Sequence, residues 1–434
     1  MRSISPPLGL GMIAGLTPDD WDIELIDENF DAFEYRDADL IGITVLTSAA
    51  FRAYEIAAIY RKKGIKVILG GIHVSMMVDE AEQYADTIVI GEAEGVWNTV
   101  IDDFTNNRLQ KRYYGELSEL NHSVNPRRDL FHKNYSYANI QTTRGCPMSC
   151  DFCSVHTFNG SKYRQRRVDE VLDEIETIEN DKLFIIDDNL IGYTKQSAER
   201  AVELFKGMIN RGIKKDWYCQ ASLNIADNEE VLKYAAESGC RMILIGIESE
   251  KIDQLQETNK KMNIKIGVDH YEEAFQKIHK HGISVLGALV FGLDSDSKED
   301  IQNRARFAID SGIDAMQATI VTPLPGTSLF KRLEKEGRLL YTNFPKDWEH
   351  YHFHEVSHIP IKMTPDELSE AMDECWRTMW DEKTVYRKML KTLKQTKNAK
   401  AATWAFASNT ERHNLAFGNN KAAMDIEKLL KGIT

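Results

Sequence analysis

Three cysteines, Cys146, Cys150 and Cys153, fall within eight positions in the run Thr143-Arg144-Gly145-Cys146-Pro147-Met148-Ser149-Cys150-Asp151-Phe152-Cys153. With three and then two residues between them, the thiolates can cap three corners of a [4Fe–4S] cubane and leave the fourth iron open. An open iron can chelate the amino and carboxylate groups of a small molecule. A closed zinc site would need a fourth ligand, for which His156 stands three residues beyond Cys153. Three crowded cysteines out of six in a chain of 434 residues do not form a disulfide framework.

A loop of this kind must be held by regular elements, and the flanking sequence supplies them. Before the cysteines, apolar runs at Ile23 to Ile26, Leu40 to Leu46, Val67 to Leu69 and Thr87 to Ile90 predict strands, with a helix over Ala49 to Lys63. The last two strands end on Gly70-Gly71-Ile72-His73 and Gly91-Glu92. Continuous apolar strands between amphipathic helices indicate a buried parallel sheet, whose ligands sit beyond the carboxyl ends of the strands. After the cysteines, strands at Leu183 to Ile186, Trp217 to Ala221, Met242 to Ile247, Ser284 to Phe291 and Ala315 to Val321 alternate with helices. The helices fit Asp169 to Glu179, Lys195 to Arg211, Glu229 to Ser238, Val268 to His281 and Lys298 to Ser311. That is short of eight units, so an open (β/α)6 partial TIM barrel fits better than a closed one. The fold class is α/β. It comprises a doubly wound, Rossmann-like domain over 1–110, a connector over 111–137, the partial barrel over 138–335 and a helical region over 336–434.

The cysteine run, with Phe152 immediately before its last cysteine, resembles the radical S-adenosylmethionine superfamily. The resemblance implies a [4Fe–4S] cluster on Cys146, Cys150 and Cys153. It also implies S-adenosylmethionine on the open iron and its reductive cleavage to a 5′-deoxyadenosyl radical. It carries Phe152, Asp187, Asp188, Asn189, Ser222 and Glu248 over as contacts to S-adenosylmethionine, with Glu248 in Gly246-Ile247-Glu248-Ser249 near the ribose. Pro323-Leu324-Pro325-Gly326-Thr327 resembles the turn that closes the barrel in the same relatives. Ser5-Pro6-Pro7-Leu8-Gly9-Leu10, Gly70-Gly71-Ile72-His73 and Gly91-Glu92-Ala93-Glu94, with Tyr163-Arg164-x-Arg166, resemble the branch that carries an N-terminal cobalamin-binding domain. Thr44, Ser48, Gly70, Gly71, His73 and Gly91 would then face the corrinoid. Only five residues precede Pro6, fewer than a complete first strand takes, and no Asp-x-His-x-x-Gly supplies a lower ligand to cobalt. The activity this implies is cobalamin-dependent C-methylation of an unactivated carbon. The alternatives are cobalamin-independent cyclisation, rearrangement or oxidation, a non-catalytic metal-binding module, and a corrinoid-binding sensor. A flavodoxin or ferredoxin would supply the electron, and the substrate would be a small molecule or lipid.

Composition narrows the partners further. The 54 basic and 67 acidic residues give a net charge of −13, which argues against general nucleic-acid binding. No stretch reaches the roughly 18 apolar residues of a transmembrane helix, and the N-terminus does not read as a signal peptide, so a cytoplasmic protein is expected. Toward the C-terminus, Trp348, His350, Tyr351, His352, His354 and His358 crowd one window that is expected to line a substrate pocket. Thr364 and Pro365 start a helix whose Leu368, Ala371, Met372, Cys375 and Met379 form a buried stripe. Cys219, Cys240 and Cys375 are expected in the core. The basic stretch Lys383 to Lys400 reads as a solvated helix face, and Asp425 to Leu430 as a last helix.

Overall fold

The computed structural model describes residues 5–120 and 124–418, in two compact units. The first comprises Met1–Leu190, Asn210–Lys215 and Thr322–His358; the second comprises Ile191–Ile209, Asp216–Val321 and Ile359–Thr434.

The first unit opens with a four-stranded parallel sheet of β1 (Leu40–Thr44), β2 (Lys66–Gly70), β3 (Thr87–Gly91) and β4 (Arg112–Gly115), paired in that order. Val67, Ile68 and Leu69 of β2 are buried on both faces, as the continuous apolar run requires. Ile68, Val89, Trp97, Val100, Ile101 and Tyr113 form its core. The helix Ala50–Lys62 buries Ala50, Ala53, Tyr54, Ala57 and Tyr60, a stripe at helical spacing. The Gly-rich N-terminal run forms the helix Leu8–Leu16, where a side chain on Gly11 would lie 2.4 Å from Phe131.

Two expectations need correction here. Ile23 to Ile26 forms no strand, because among the described residues it has no hydrogen-bonded neighbour, and β1 is the edge of the sheet. β4 lies inside the stretch read as a connector. Its short Arg-Tyr-Tyr-Gly run has no helical or long apolar signature, and it is a strand because β3 offers an edge, pairing Val89 with Tyr113.

The same unit holds β5 (Ala138–Ile140), the antiparallel pair β6 (Thr143–Arg144) and β7 (Arg164–Gln165), and β8 (Lys182–Ile185), which runs parallel to β5. The second unit holds the parallel strands β9 (Asp216–Ala221), β10 (Cys240–Glu248), β11 (Ser284–Phe291) and β12 (Ala315–Ile320), each paired to the next. β5, β8 and β9 to β12 are each followed in sequence by a helix, which gives the six strand–helix repeats that the alternation predicts.

The helical C-terminal region consists of Pro365–Met379, Glu382–Thr396 and Ala399–Phe417. Thr364 and Glu367 form a capping box, and Leu368, Ala371, Met372, Cys375 and Met379 are buried as the spacing predicts. Cys219, Cys240 and Cys375 are likewise in the core. The basic stretch is not wholly solvated: Val385, Lys388, Thr392 and Thr396 are buried, and Lys388 is the basic residue among them. Lys388 is buried, donating to the carbonyls of Ala308 at 2.7 Å and Ile313 at 2.5 Å, and burial pushes its ammonium down to about 7. Asp425 to Leu430 lies outside the described residues.

These helices also protect an exposed strand edge. The Asn409 side chain accepts from Met316 N at 3.0 Å and donates to Asp314 O at 2.9 Å, and Trp376 Nε1 donates to Ala318 O at 3.2 Å. Among the described residues no helix is long and apolar enough to cross a membrane.

Candidate active site

The three cysteines sit on the loop between β6 and β7, Cys150 buried and Cys146 and Cys153 partly exposed. Gly145 opens the loop at φ +92°, where a Cβ would lie 2.3 Å from Lys162 O, so only glycine fits. Cys146 N donates to Gly160 O at 3.2 Å, and Cys153 N to Cys150 O at 3.1 Å. Leu329 N, in the helix Ser328–Lys335 that Thr327 caps, donates to Asp151 O at 3.0 Å. The Pro323 to Thr327 turn therefore leads directly into a contact with this loop.

The polar residues ending β8 brace the same loop. Asp187, fully buried, accepts from Thr142 N at 2.5 Å, Thr142 Oγ1 at 2.6 Å and Thr143 N at 3.0 Å. Asp188 accepts from Gly145 N at 3.2 Å and Asn159 Nδ2 at 2.9 Å, and burial holds its carboxyl above the ordinary value. The Asn189 carbonyl accepts from the Tyr163 hydroxyl at 2.9 Å. Phe152 is half-buried within the loop.

A second layer pairs residues that the sequence presented only as separate motifs. The antiparallel pair that brackets the loop sets Arg144 opposite Arg164. Arg164, almost wholly buried, places its guanidinium 2.8 and 2.5 Å from the two oxygens of Glu92. Arg144 reaches Glu94 at 2.5 Å and Glu92 at 3.4 Å. Gly91-Glu92-Ala93-Glu94, quoted above for a cofactor domain, is thus wired to the cysteine loop by one buried and one half-buried ion pair. Glu174 does similar work one step further out, accepting from Arg166 at 2.6 Å and Arg128 at 2.5 Å.

The residues assigned to the corrinoid divide into two groups. Thr44 and Ser48 are exposed beyond β1, with Leu46 62% exposed between them. Gly70 is half-buried at the end of β2, its carbonyl accepting from Val45 N at 2.9 Å. Gly71, at φ +100°, would bring a Cβ within 3.0 Å of Thr44 Oγ1 and Val45, and Gly91, at φ +79°, within 2.4 Å of Gly115 O. Both glycines answer to packing inside the sheet. His73 is fully buried, 3.2 Å from Glu80 and 3.4 Å from Thr47, with its ring edge-on to Trp348.

Trp348 Nε1 also donates to Glu80, at 3.0 Å. The His-rich window therefore turns its aromatic residues inward. Trp348, Tyr351 and His358 are buried, whereas His350 and His352 bond Glu355 at 2.8 and 3.2 Å. This corrects the expectation of a pocket lining, since Trp348 and Tyr351 pack with Phe330 and Phe344 into an aromatic core.

In the second unit, Glu248 stands on a bulge of β10 at φ +61°, an uncommon conformation for a residue with a side chain. Its Oε1 lies 2.5 Å from Lys260 Nζ. A Cβ on Gly246 would meet that pair at 2.5 and 2.6 Å, which explains the glycine. Asn263 Nδ2 donates to Gly246 O at 3.1 Å and Ile247 O at 3.2 Å, fixing the bulge. Ser222 Oγ is 2.8 Å from the Tyr193 hydroxyl.

Comparison with known proteins decides what this arrangement is. The radical SAM superfamily profile matches residues 140–308, a B12 binding domain matches 1–101, and a domain of unknown function matches 327–421. The chain is 31% identical over 380 residues to bacteriochlorophyllide d C-8(2)-methyltransferase of Chlorobaculum tepidum, covering 82% of this chain and 80% of that one. This chain belongs to the radical SAM superfamily, in the branch with a B12-binding domain.

Hopanoid C-2 methylase of Rhodopseudomonas palustris is another relative, 27% identical over 79% of this radical SAM chain and 66% of its own. Its fold is shared with a radical S-adenosylmethionine methyltransferase, TsrM, from Kitasatospora setae, at TM-score 0.70 and 16% identity over 96% of this chain and 93% of that one. The radical SAM enzyme uses a [4Fe–4S] cluster, S-adenosylmethionine and cobalamin, acts on a small molecule, and is favoured neither as a zinc module nor as a sensor.

The residues present fit these groups. The donor set is three thiols on one clamped loop, suited to separate corners of a cubane. At the base of the loop the Thr143 hydroxyl is shielded and has no hydrogen-bond partner. Beyond β1, the exposed Thr44, Leu46 and Ser48 offer an apolar and polar ledge to a large flat ligand.

Proposed function

We propose that this radical SAM enzyme is a cobalamin-dependent C-methyltransferase of an unactivated carbon in a small molecule. The observation that carries the reading is the wiring of buried Glu92–Arg164 and half-buried Glu94–Arg144, which makes the cysteine loop and the B12-type sheet one body. The named activities of the relatives, a bacteriochlorophyllide methyltransferase and a hopanoid methylase, support it.

When bound, the cluster and S-adenosylmethionine supply a 5′-deoxyadenosyl radical and the cobalamin supplies the methyl group. The chain's own residues hold and orient these groups. Cys146, Cys150 and Cys153 hold the cluster, and Asp187 and Asp188 keep the backbone of the loop that presents them. The family resemblance makes Phe152, Asp187, Asp188, Asn189, Ser222 and Glu248 the proposed contacts to S-adenosylmethionine. Glu248 accepts from the ribose hydroxyls with Lys260 fixing the carboxylate. Thr44, Leu46, Ser48 and Gly70 meet the corrin, and the packing of Gly71, His73 and Gly91 shapes the turns beneath it. The protein works in the cytoplasm with a flavodoxin or ferredoxin as electron donor. The cobalamin domain, connector, barrel and helical region keep the limits given above, with β4 added to the first.

Anaerobic reconstitution with iron and sulfide tests the reading. About four irons per chain, retained corrinoid in the visible spectrum and 5′-deoxyadenosine on reduction are expected. Transfer of a deuterated methyl group from labelled S-adenosylmethionine to a tetrapyrrole or lipid acceptor identifies methylation. Stoichiometric zinc and no nucleoside overturn it.

A further inference from the structure

The second unit contains a half-buried cation that its own fold leaves without a carboxylate partner. Side chains alternate along its strands, so the two faces can be told apart. Trp217 of β9 packs against Phe205 of the helix Lys195–Asn210, with ring centroids 5.1 Å apart. The next residue, Tyr218, meets Trp404 of Ala399–Phe417 edge-on at 5.8 Å. The C-terminal helix therefore lies on the opposite face of the strands. Gln220, Leu244, Ala288 and Gln317 share that face and are partly open, and pairing sets Leu244 beside Gln220 and Ala288 beside Gln317.

Asn409 fastens the C-terminal helix to β12, and one turn later Arg412 reaches the same face. Its Nη2 donates to Gln317 Oε1 at 3.2 Å, and its guanidinium carbon lies 5.9 Å from the centre of the Trp380 ring. Arg412 Nε is completely shielded and has no acceptor; neither has the indole Nε1 of Trp380. No carboxylate of the described residues ion-pairs with Arg412, and its sequence neighbour Glu411 is exposed.

The arginines that are more deeply buried show how this chain compensates such a charge when the residue is structural. Arg164 has Glu92, Arg166 has Glu174, and Arg304 has Asp296 at 2.8 and 3.0 Å with Glu250 at 3.1 Å. A guanidinium removed from water without such a partner is unfavourable. Two shielded N–H donors that lack acceptors, on a partly open face, call for a ligand rich in oxygen acceptors. Planar guanidinium suits a carboxylate in particular, through paired hydrogen bonds.

We propose that Arg412, with Trp380 and Gln317, receives a carboxylate group of the substrate on this partly open strand face of the second unit. The assignment rests on the radical methyltransferase reading and narrows its substrates to organic acids with an apolar body, since Leu244 and Ala288 line the same face. The donor's own carboxylate, that of S-adenosylmethionine, is the alternative source of the same chemistry.

Thermal denaturation of the reconstituted enzyme, saturated with S-adenosylmethionine so that its own site is filled, distinguishes the two. The probes are benzoate and octanoate against chloride at equal ionic strength, with methyl benzoate and methyl octanoate as neutral controls. The wild type should melt about 2 °C or more higher with at least one of the carboxylates and not with its ester. Arg412→Met should lose that response and Arg412→Lys should keep part of it, while both retain the wild-type affinity for S-adenosylmethionine in equilibrium dialysis. No carboxylate response in the wild type, an undiminished response in Arg412→Met, or weakened S-adenosylmethionine binding would overturn the proposal. Release of 5′-deoxyadenosine without substrate, assayed on the same samples, reports separately on the radical chemistry.

Discussion

Two turns leave the carboxyl edge of the same four-stranded sheet, and they have opposite character. After β3, Gly91-Glu92-Ala93-Glu94 is drawn inward: both carboxylates are neutralised by arginines that flank the cysteine loop. After β1, Thr44, Leu46 and Ser48 remain in solvent, and the apolar Leu46 is 62% exposed. Sequence resemblance assigns both turns to the corrinoid. The structure separates a turn whose polar groups are satisfied within the fold from one whose surface is available to a ligand. His73 belongs with the first kind, because Glu80, Thr47 and Trp348 already surround it.

Changes on the two sides of this divide should differ in kind as well as size. The largest effect is expected from Glu92→Gln. It leaves Arg164 buried without its carboxylate, at a cost of about 3–5 kcal/mol. Calorimetry should show a melting temperature lower by roughly 6 °C or more, with iron incorporation impaired. A variant that melts normally and loads four irons would show that the wiring is incidental.

His73→Ala removes a buried ring from three partners and should cost about 2 kcal/mol. The visible spectrum of bound corrinoid should stay unchanged, and a shift in its cobalt bands would move His73 to the ligand side of the comparison. Leu46→Glu should behave conversely. Unfolding free energy in urea should stay within about 0.5 kcal/mol of the wild type, while corrinoid affinity falls at least tenfold, about 1.4 kcal/mol. Unaltered retention of corrinoid would remove the ledge from the site.

The smallest expected effect concerns acid stability. Burial by itself would raise the Glu80 carboxyl, but hydrogen bonds from His73, Trp348 and Tyr54 outweigh it and hold the group below its ordinary value. A depressed carboxylate stabilises the fold fully above its unfolded value, near 4.3. That contribution disappears as the pH falls through the lower, folded value. The wild type should therefore lose stability more steeply below about pH 4.5 than Glu80→Gln does, in urea titrations across that range. Parallel curves would show that Glu80 is ionised equally in both states.

The cysteine loop was legible because its information is local: one glycine turn and three thiols lie within nine residues. The same holds for the Thr364 capping box and for the strand–helix alternation, where each element's periodicity lies in its own residues. The first sheet was read less well at both ends. Ile23 to Ile26 has the pattern of a strand and no neighbour to pair with, whereas β4 has little pattern and does have a neighbour. Pairing is a property of two segments and shows in neither alone.

Charged and polar residues make the same point more strongly. Composition and order determined that this chain holds a three-cysteine loop between parallel α/β repeats, and which residue types stand at the strand ends. Folding alone decided which of those groups found partners. Glu92 met Arg164 across seventy-two positions of sequence, Lys388 was drawn out of a basic helix face into backbone carbonyls, and Arg412 was left half-buried beside Gln317. The reason is physical: a polar group's role depends on whether burial leaves it satisfied. That depends on atoms distant in the chain and adjacent only in space.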